Sequence, residues 1–140
     1  EKIETLILTK AIPEVGVGKL VQSSAWTNLE ELDLRVNEIG DQSAILISSN
    51  EIWKNLKKIK FAENKIGEEG GTGLGMIGSN AVWTNLKHLD LSNNKIGGEG
   101  GMAIGKSICW KTLKINLYDN QIGNKAAVAI GSNNVWSNLK

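Results

Sequence analysis

Residues 86–97 read LKHLDLSNNKIG, and the same arrangement of residue types recurs along the chain. Residues 29–40 read LEELDLRVNEIG and residues 56–67 read LKKIKFAENKIG, so the three segments align column by column. A fourth copy, LKINLYDNQIG at residues 113–123, is one residue shorter, and residues 3–8, IETLIL, keep only the first half. The shared pattern is L-x-x-L-x-L-x-x-N-x-I, and its recurrence predicts a fold built from repeated units.

The tryptophans follow the same repeat, with successive spacings of 27, 30, 27 and 26 residues. They are Trp26, Trp53, Trp83, Trp110 and Trp136. An aromatic residue at a fixed position of every repeat predicts a packed spine rather than a binding platform. Cys109 aligns with small or apolar residues in the other copies, which predicts a buried core thiol and not a nucleophile.

This pattern resembles the leucine-rich repeat, and the 26- to 30-residue period with a helical second half resembles the ribonuclease-inhibitor-like subclass. The resemblance implies an α/β horseshoe solenoid, with short parallel strands on its concave face and helices on its convex face. We expect a single domain over residues 1–140, with five coils. Their expected bounds are 3–28, 29–55, 56–85, 86–112 and 113–140. Because residues 136–140 read as the opening of another repeat, we expect a fragment of a longer array, or end coils covered by another subunit.

The columns of the repeat have readable physical roles. Apolar residues at every second position, as in Leu32 and Leu34, put both side chains on one face of a short strand. The asparagine that follows each strand can satisfy backbone groups that a buried turn would leave unpaired. The predicted structural ladder consists of Asn37, Asn64, Asn94 and Asn120.

The second half of each repeat predicts a helix in which small residues allow close approach to neighbouring coils. The first helix is expected to begin near Pro13, where a missing N–H does no harm. The third coil carries three extra residues. We expect them to lengthen a helix over residues 68–80 and to bulge on the convex side.

Two segments match nucleotide-binding motifs. Residues 100–107, GGMAIGKS, fit G-x-x-x-x-G-K-S, in which backbone N–H groups cradle phosphates, and Gly73–Gly78 fit G-x-G-x-x-G. In the repeat alignment Gly105 falls in the same column as Gly78 and Gly131. Both segments are therefore predicted to be helical, which closes off the amides that would hold phosphate. A nucleotide-dependent activity through Lys106 and Ser107 remains a remote alternative.

The net charge and the residue composition argue against several classes of function. The formal net charge is +1, so charge suggests neither a nucleic acid nor an anionic membrane surface as partner. The sequence has one histidine and one cysteine, so it contains no His/Cys spacing typical of a metal site and no pattern that indicates a Ser/His/Asp catalytic triad. We therefore expect neither an enzyme nor a cofactor. A single cysteine and no signal-like N-terminal segment favour a cytoplasmic location.

The strand alternation also predicts which side chains face outward on the concave sheet. The residues so predicted to bind a protein are Glu31, Asp33, Arg35, Lys58, Lys60, His88, Asp90, Ser92, Lys114, Asn116 and Tyr118, and Thr5, Ile7, Thr9 and Ala62 face the same way. Tyr118 is the favoured anchor because it is the only aromatic residue in this set.

The resemblance implies a protein-recognition scaffold, a class that includes inhibitors, GTPase-activator scaffolds and sensor domains of immune receptors. The outward-facing residues of the concave sheet are equally consistent with a solvated surface whose ion pairs contribute little. The alternative function is a spacer or oligomerisation segment, including end-to-end self-association through uncapped terminal coils.

Overall fold

The computed structural model describes residues 2–69 and 71–136, in which strands and helices alternate. The strands are β1 (Thr5–Ile7), β2 (Glu31–Asp33), β3 (Lys58–Lys60), β4 (His88–Asp90) and β5 (Lys114–Asn116). The helices are α1 (Glu14–Gln22), α2 (Asp41–Ser48), α3 (Thr72–Ser79), α4 (Gly97–Gly105) and α5 (Gly123–Gly131), and a 3-10 turn covers Ser24–Trp26. The first helix thus begins directly after Pro13, as predicted.

The five strands form one parallel sheet in the order β1-β2-β3-β4-β5. Each strand pairs with the next one along the chain, and every helix packs against its sequence neighbours. This arrangement confirms the predicted α/β leucine-rich repeat solenoid, with one strand and one helix per coil. Residues 137–140, on which the prediction of a further repeat depended, lie outside the described residues.

The core runs between the sheet and the helices. The central residues of β2, β3 and β4 point into it, and Leu32, Ile59 and Leu89 are buried. The tryptophan column is the predicted spine in its middle coils, where Trp53 and Trp83 are fully buried. Their indole N–H groups meet no acceptor among the described residues, a cost that burial of the large rings offsets. Cys109 is only partly buried, although it does pack against this core.

Glycine sets the spacing between neighbouring helices. A Cβ built on Gly101 would lie 2.5 Å from the Cβ of Ala126, and one on Gly105 would lie 2.8 Å from the Cβ of Ala129. Both distances are shorter than carbon atoms tolerate, so these helices approach as closely as they do only because the side chains are absent. The structure therefore confirms that small residues allow close approach of the coils.

The prediction that the third coil has a longer helix is wrong. Helix α3 has 8 residues, the same number as α2, and the extra residues lie in the turn before it. Gly67 and Gly71 both have positive φ there, of 95° and 77°. Two residues with positive φ interrupt a right-handed helix, and glycine adopts this conformation without strain. Asp41 stabilises the turn, since its carboxylate accepts hydrogen bonds from the backbone N–H groups of Gly67 and Glu69, both at 3.0 Å.

Candidate protein-binding face

The sheet places the predicted residues in two rows. The pairing register puts Glu31, Lys58, His88 and Lys114 opposite one another on successive strands. The same register places Asp33, Lys60, Asp90 and Asn116 in the second row. Neighbouring members of a row are therefore separated by about 4.8 Å, the spacing of adjacent strands. The members of each row occupy the same column of the repeat.

The second and third coils carry a cluster of paired charges. The Nζ atom of Lys60 lies 2.6 Å from Glu31 Oε1 and 3.4 Å from Asp33 Oδ2. Arg35 closes the cluster from the other side, with its Nη2 atom 2.8 Å from Asp33 Oδ2. Lys58 makes a longer contact of 3.5 Å with Glu31 Oε2. Most of the charge that the second and third coils place on the concave face, the neutralised half of that face, is thus paired within the molecule.

The pairing changes the acidity of both carboxyl groups. A hydrogen bond from Lys60, opposed by burial, lowers the pKa of Glu31 below its ordinary value of 4.5. Burial by itself would raise the pKa of Asp33, but hydrogen bonds from the Arg35 side chain and backbone hold it below its ordinary value of 3.8. Both groups are therefore ionised throughout the physiological range, and the cluster is intact there.

Acid is expected to weaken this cluster. Because both folded-state pKa values lie below the unfolded ones, the carboxylates contribute stability that is present above about pH 5 and is lost as the pH falls through the folded-state values. We expect Lys60→Gln to lose less stability than the parent between pH 6 and pH 3, by no more than about 1 kcal/mol because solvent screens the pairs. Urea unfolding at each pH measures this, with Lys125→Gln on α5 as the control. Identical pH profiles for parent and Lys60→Gln would contradict the expectation.

Three residues that were predicted to face outward are buried and not exposed. Asp33 is only 1% exposed, because Arg35 and Lys60 cover its carboxylate. Ser92 is buried, and its Oγ atom donates a 2.7 Å hydrogen bond to Asp90 Oδ1. Ala62 is buried as well. Alternation fixes the direction of a side chain, whereas long neighbouring side chains and turn geometry decide whether a partner can reach it. A role for Asp33 or Ser92 in binding stays a prediction.

The fourth and fifth coils differ from this neutralised half. In residues 2–69 and 71–136 neither Lys87 nor Lys114 forms an ion pair. His88 lies between them and is exposed. Burial, followed by the nearby Lys114, Lys58 and Lys87, lowers the pKa of His88 below 6.5. A shallow concavity of about 280 Å³ lies over these strands and is bounded by Lys58, His88 and Lys114.

Tyr118 lies two residues beyond Asn116, which ends β5 and lines this concavity. It is 73% exposed, and its backbone N–H donates a 3.1 Å hydrogen bond to the Oδ1 atom of Asn116. Asn116 is therefore part of the turn that positions Tyr118. An exposed aromatic ring on an anchored backbone can contact a partner with little loss of conformational entropy.

The asparagines Asn37, Asn64, Asn94 and Asn120 stack where the chain leaves the strands and link successive coils. The Oδ1 atom of Asn64 accepts hydrogen bonds from the backbone N–H groups of Asn37 (3.0 Å) and Ile39 (2.9 Å) in the preceding coil. Its Nδ2 atom donates to the carbonyl groups of Leu34 (2.9 Å) and Phe61 (2.8 Å). The rigidity of the concave face depends on these bonds, because they hold the strand ends of adjacent coils together.

A second ladder lies at the other end of the helices and was missed by the sequence analysis. The Oδ1 atom of Asn50 accepts from Ile52 (2.9 Å) and Trp53 (3.0 Å), and its Nδ2 atom donates to the carbonyl of Val21 (2.9 Å). The Nδ2 atom of Asn80 likewise donates to the carbonyl of Ser48. The signal was present as N-x-I/V-W, which occurs at residues 50–53, 80–83 and 133–136.

The nucleotide-like segments are helical as predicted, except that Lys106 and Ser107 follow the end of α4. Gly100 to Gly105 lie inside α4, and Gly73–Gly78 lie inside α3. Ser107 is buried, and its Oγ atom donates a 2.6 Å hydrogen bond to the carbonyl of Gly78. In the repeat pattern Ser107 occupies the position of Asn50 and Asn80. Its hydroxyl is thus part of the second ladder and faces no phosphate site.

A second cavity lies at the edge of the sheet where the strands end, not on the concave face. It has a volume of about 580 Å³ and lies between the turn after β1 and the turn before α3. Two of the carboxylates that line it accept hydrogen bonds from neighbouring coils. Glu14 accepts a 3.3 Å hydrogen bond from the Ser43 hydroxyl, and Asp41 is held by the turn before α3. Glu14 and Asp41 therefore both link neighbouring coils at this cavity.

Comparison with known proteins agrees with the fold. A family model described as Leucine Rich repeat matches residues 27–52 and 84–105, which are less than half of the chain. The matched segments contain β2 with α2 and β4 with α4. These matches support the interpretation of the chain as a leucine-rich repeat protein. No curated protein gives a significant match to this chain.

Among the described residues, no helix combines the length and the apolar character that a membrane crossing needs. Nowhere in residues 2–69 and 71–136 do three His, Cys, Asp or Glu side chains come together as a metal site.

Proposed function

We propose that the chain is a protein–protein interaction module and that its concave sheet recognises a protein partner. The observation that carries the proposal is the row of unlike side chains Glu31, Lys58, His88 and Lys114 on a rigid sheet, with Tyr118 exposed beside it. Leucine-rich repeats generally act as binding scaffolds, and solenoids provide extended concave surfaces for partners. A surface of varied charge and one exposed aromatic ring can distinguish one partner from another.

We also propose that residues 1–140 form one domain of five coils of the ribonuclease-inhibitor-like subclass. A helix of 8 or 9 residues in every described coil supports the subclass, as does the period of 26 to 30 residues.

The fifth coil offers the sharpest test of concave binding. Lys114→Glu combined with Tyr118→Ala changes one cation and one exposed ring on the concave side. Neither side chain makes an ion pair or a side-chain hydrogen bond in the described residues, so the variant should fold. Lys60 is unsuitable, because a glutamate there would face Glu31 and the buried Asp33. We expect capture of a partner from lysate of the native cells to fall at least about tenfold.

The control changes the same kinds of residue on the opposite side of the same coil. Lys125→Glu with Val128→Ala removes one cation and one exposed apolar side chain from α5, where Val128 is 68% exposed. Capture by this control should equal capture by the parent, and circular dichroism should show both variants folded. If the control loses the partner and the concave variant keeps it, the site lies on the convex face and the proposal is wrong.

The spacer or oligomerisation role is the other function considered. It predicts that neither variant changes capture and that substitutions in the first or last coil change the oligomeric state instead. Sedimentation velocity of the parent and both variants separates this outcome from partner recognition.

A further inference from the structure

The concave face divides into a neutralised half and a cationic half. On β2 and β3 the carboxylates of Glu31 and Asp33 are each within 3.5 Å of two cationic groups. On β4 and β5 the only carboxylate of the two rows is that of Asp90, which accepts hydrogen bonds from the backbone and hydroxyl of Ser92. The cations of this half therefore have no charge partner within the described part of the molecule.

His88 lies at the centre of the cationic half. Lys58 lies opposite it on β3 and Lys114 lies opposite it on β5, while Lys60 and Asn116 lie opposite Asp90, two residues along β4. Lys87 directly precedes β4. Glu31, on β2, is the carboxylate that opposes the lowering of the His88 pKa. The charges around the imidazole are thus mainly positive, so an anion placed there would be attracted by several groups at once.

The shape of this region suits a small anionic group. The concavity of about 280 Å³ lies over the middle of β3, β4 and β5, with Lys58, His88 and Lys114 at its margin. A carboxylate side chain can enter such a space and accept hydrogen bonds from ammonium and imidazolium donors. Neighbouring lysines can pair with further carboxylates along an extended segment.

The same observations favour a peptide over a nucleic acid. The net charge of the chain is only +1, and Asp90 and Glu31 border the cationic half. A nucleic acid needs a longer cationic track and usually several aromatic rings for stacking. Tyr118 is the only aromatic residue among the concave positions. A short acidic segment requires neither feature.

We propose that the concave face binds an acidic segment of its partner, with one carboxylate seated among Lys58, His88 and Lys114, and that binding tightens as the pH falls. The proposal rests on the proposed concave binding function and adds the chemistry of the partner to it. Protonated His88 becomes a third cation at the margin of the concavity. The bound carboxylate then stabilises a charge that burial and the surrounding lysines disfavour in the free protein.

The direction of the pH effect follows from linkage. Burial and the neighbouring lysines hold the pKa of His88 below 6.5 in the free protein, and a bound anion raises it. Binding therefore takes up a proton, and the affinity increases as the pH falls through the bound-state pKa of His88. Aspartate side chains have an ordinary pKa of about 3.9, so an aspartate peptide keeps its charge at about pH 5.5.

Fluorescence anisotropy with a deca-aspartate peptide carrying a pH-insensitive dye tests the proposal. We expect the Kd of the parent to fall at least about threefold between pH 7.5 and pH 5.5, and to rise steeply with salt. His88→Gln should lose most of the pH dependence between these two values. Lys114→Gln should weaken binding at both pH values by about three- to tenfold.

Lys125→Gln on α5 is the matched control, since it removes an exposed cation from the opposite side of the same coil. It should bind like the parent. The proposal is overturned if the parent does not bind deca-aspartate at pH 5.5, if Lys114→Gln and Lys125→Gln have equal effects, or if His88→Gln keeps the full pH dependence. Tighter binding of an oligothymidylate of equal charge would also overturn it.

The failure of this proposal can be told apart from failure of the binding function. If deca-aspartate does not bind while Lys114→Glu/Tyr118→Ala still abolishes capture, the partner docks on the concave face through other chemistry. If capture is insensitive to that concave variant, the binding function itself is wrong.

Discussion

Replacing Asn64 by alanine is expected to lower the free energy of unfolding by about 4 kcal/mol. Asn64 is buried, and its side-chain oxygen is the acceptor for the backbone N–H groups of Asn37 and Ile39. Its amide nitrogen donates to the carbonyl of Leu34. Alanine removes these three bonds between coils, and the bond to the Phe61 carbonyl as well. Each buried donor or acceptor left without a partner costs about 1–3 kcal/mol, and two of the groups left behind would be the N–H groups of Asn37 and Ile39, which rarely remain unpaired.

The bonds lost in Asn64→Ala join two coils, so the form of the unfolding transition should change as well. In a solenoid each coil contacts only its neighbours, and a weak interface can separate the transition into two steps. Urea unfolding followed by circular dichroism and by tryptophan fluorescence measures both effects. The matched control is Asn55→Ala, because the Asn55 amide is exposed and makes a single 3.3 Å hydrogen bond to Thr27. It should cost about 0.5 kcal/mol or less.

A loss of under 1 kcal/mol in Asn64→Ala would show that water can replace the side chain at the turn. The ladder would then contribute little to the rigidity of the concave face, and the argument that places recognition there would lose one of its supports.

The coil architecture was predictable because the repeat columns encode packing. Residues that recur every 26 to 30 positions must occupy equivalent places in successive coils, and one copy of the pattern therefore explains the others. The strand register followed in the same way. In the fifth coil, which is one residue shorter, Ile115 still pairs with Leu89. Five copies in register outweigh the local ambiguity of any single three-residue strand.

The details that sequence analysis missed depend on contacts between side chains of different coils. Asp33 points to the concave face as predicted, but its burial requires the reach of Arg35 and Lys60, which a pattern of alternation does not contain. The extra residues of the third coil form a turn because Asp41, from the preceding coil, accepts their backbone N–H groups. The division of the face into neutral and cationic halves likewise follows from which lysine reaches which carboxylate.

Replacing Gly105 by alanine is the second large effect expected, a loss of about 2–3 kcal/mol of unfolding free energy. A Cβ on Gly105 would lie 2.8 Å from the Cβ of Ala129 and 2.8 Å from the backbone nitrogen of Ile130. Backbone atoms cannot rotate away as the end of a flexible side chain can. The helices α4 and α5 would therefore have to separate, and the contacts between the fourth and fifth coils would loosen.

Gly131 provides an internal control for this prediction, since it occupies the same column of the repeat one coil later. A Cβ built on Gly131 meets nothing within 4 Å among the described residues, so alanine fits there without displacement. Alanine also has the higher helix propensity. Gly131→Ala should then stabilise the chain by up to about 1 kcal/mol. Thermal and urea unfolding of the two variants should therefore move in opposite directions. Equal shifts would mean that propensity alone governs both positions and that the small residues are not what sets the distance between the coils.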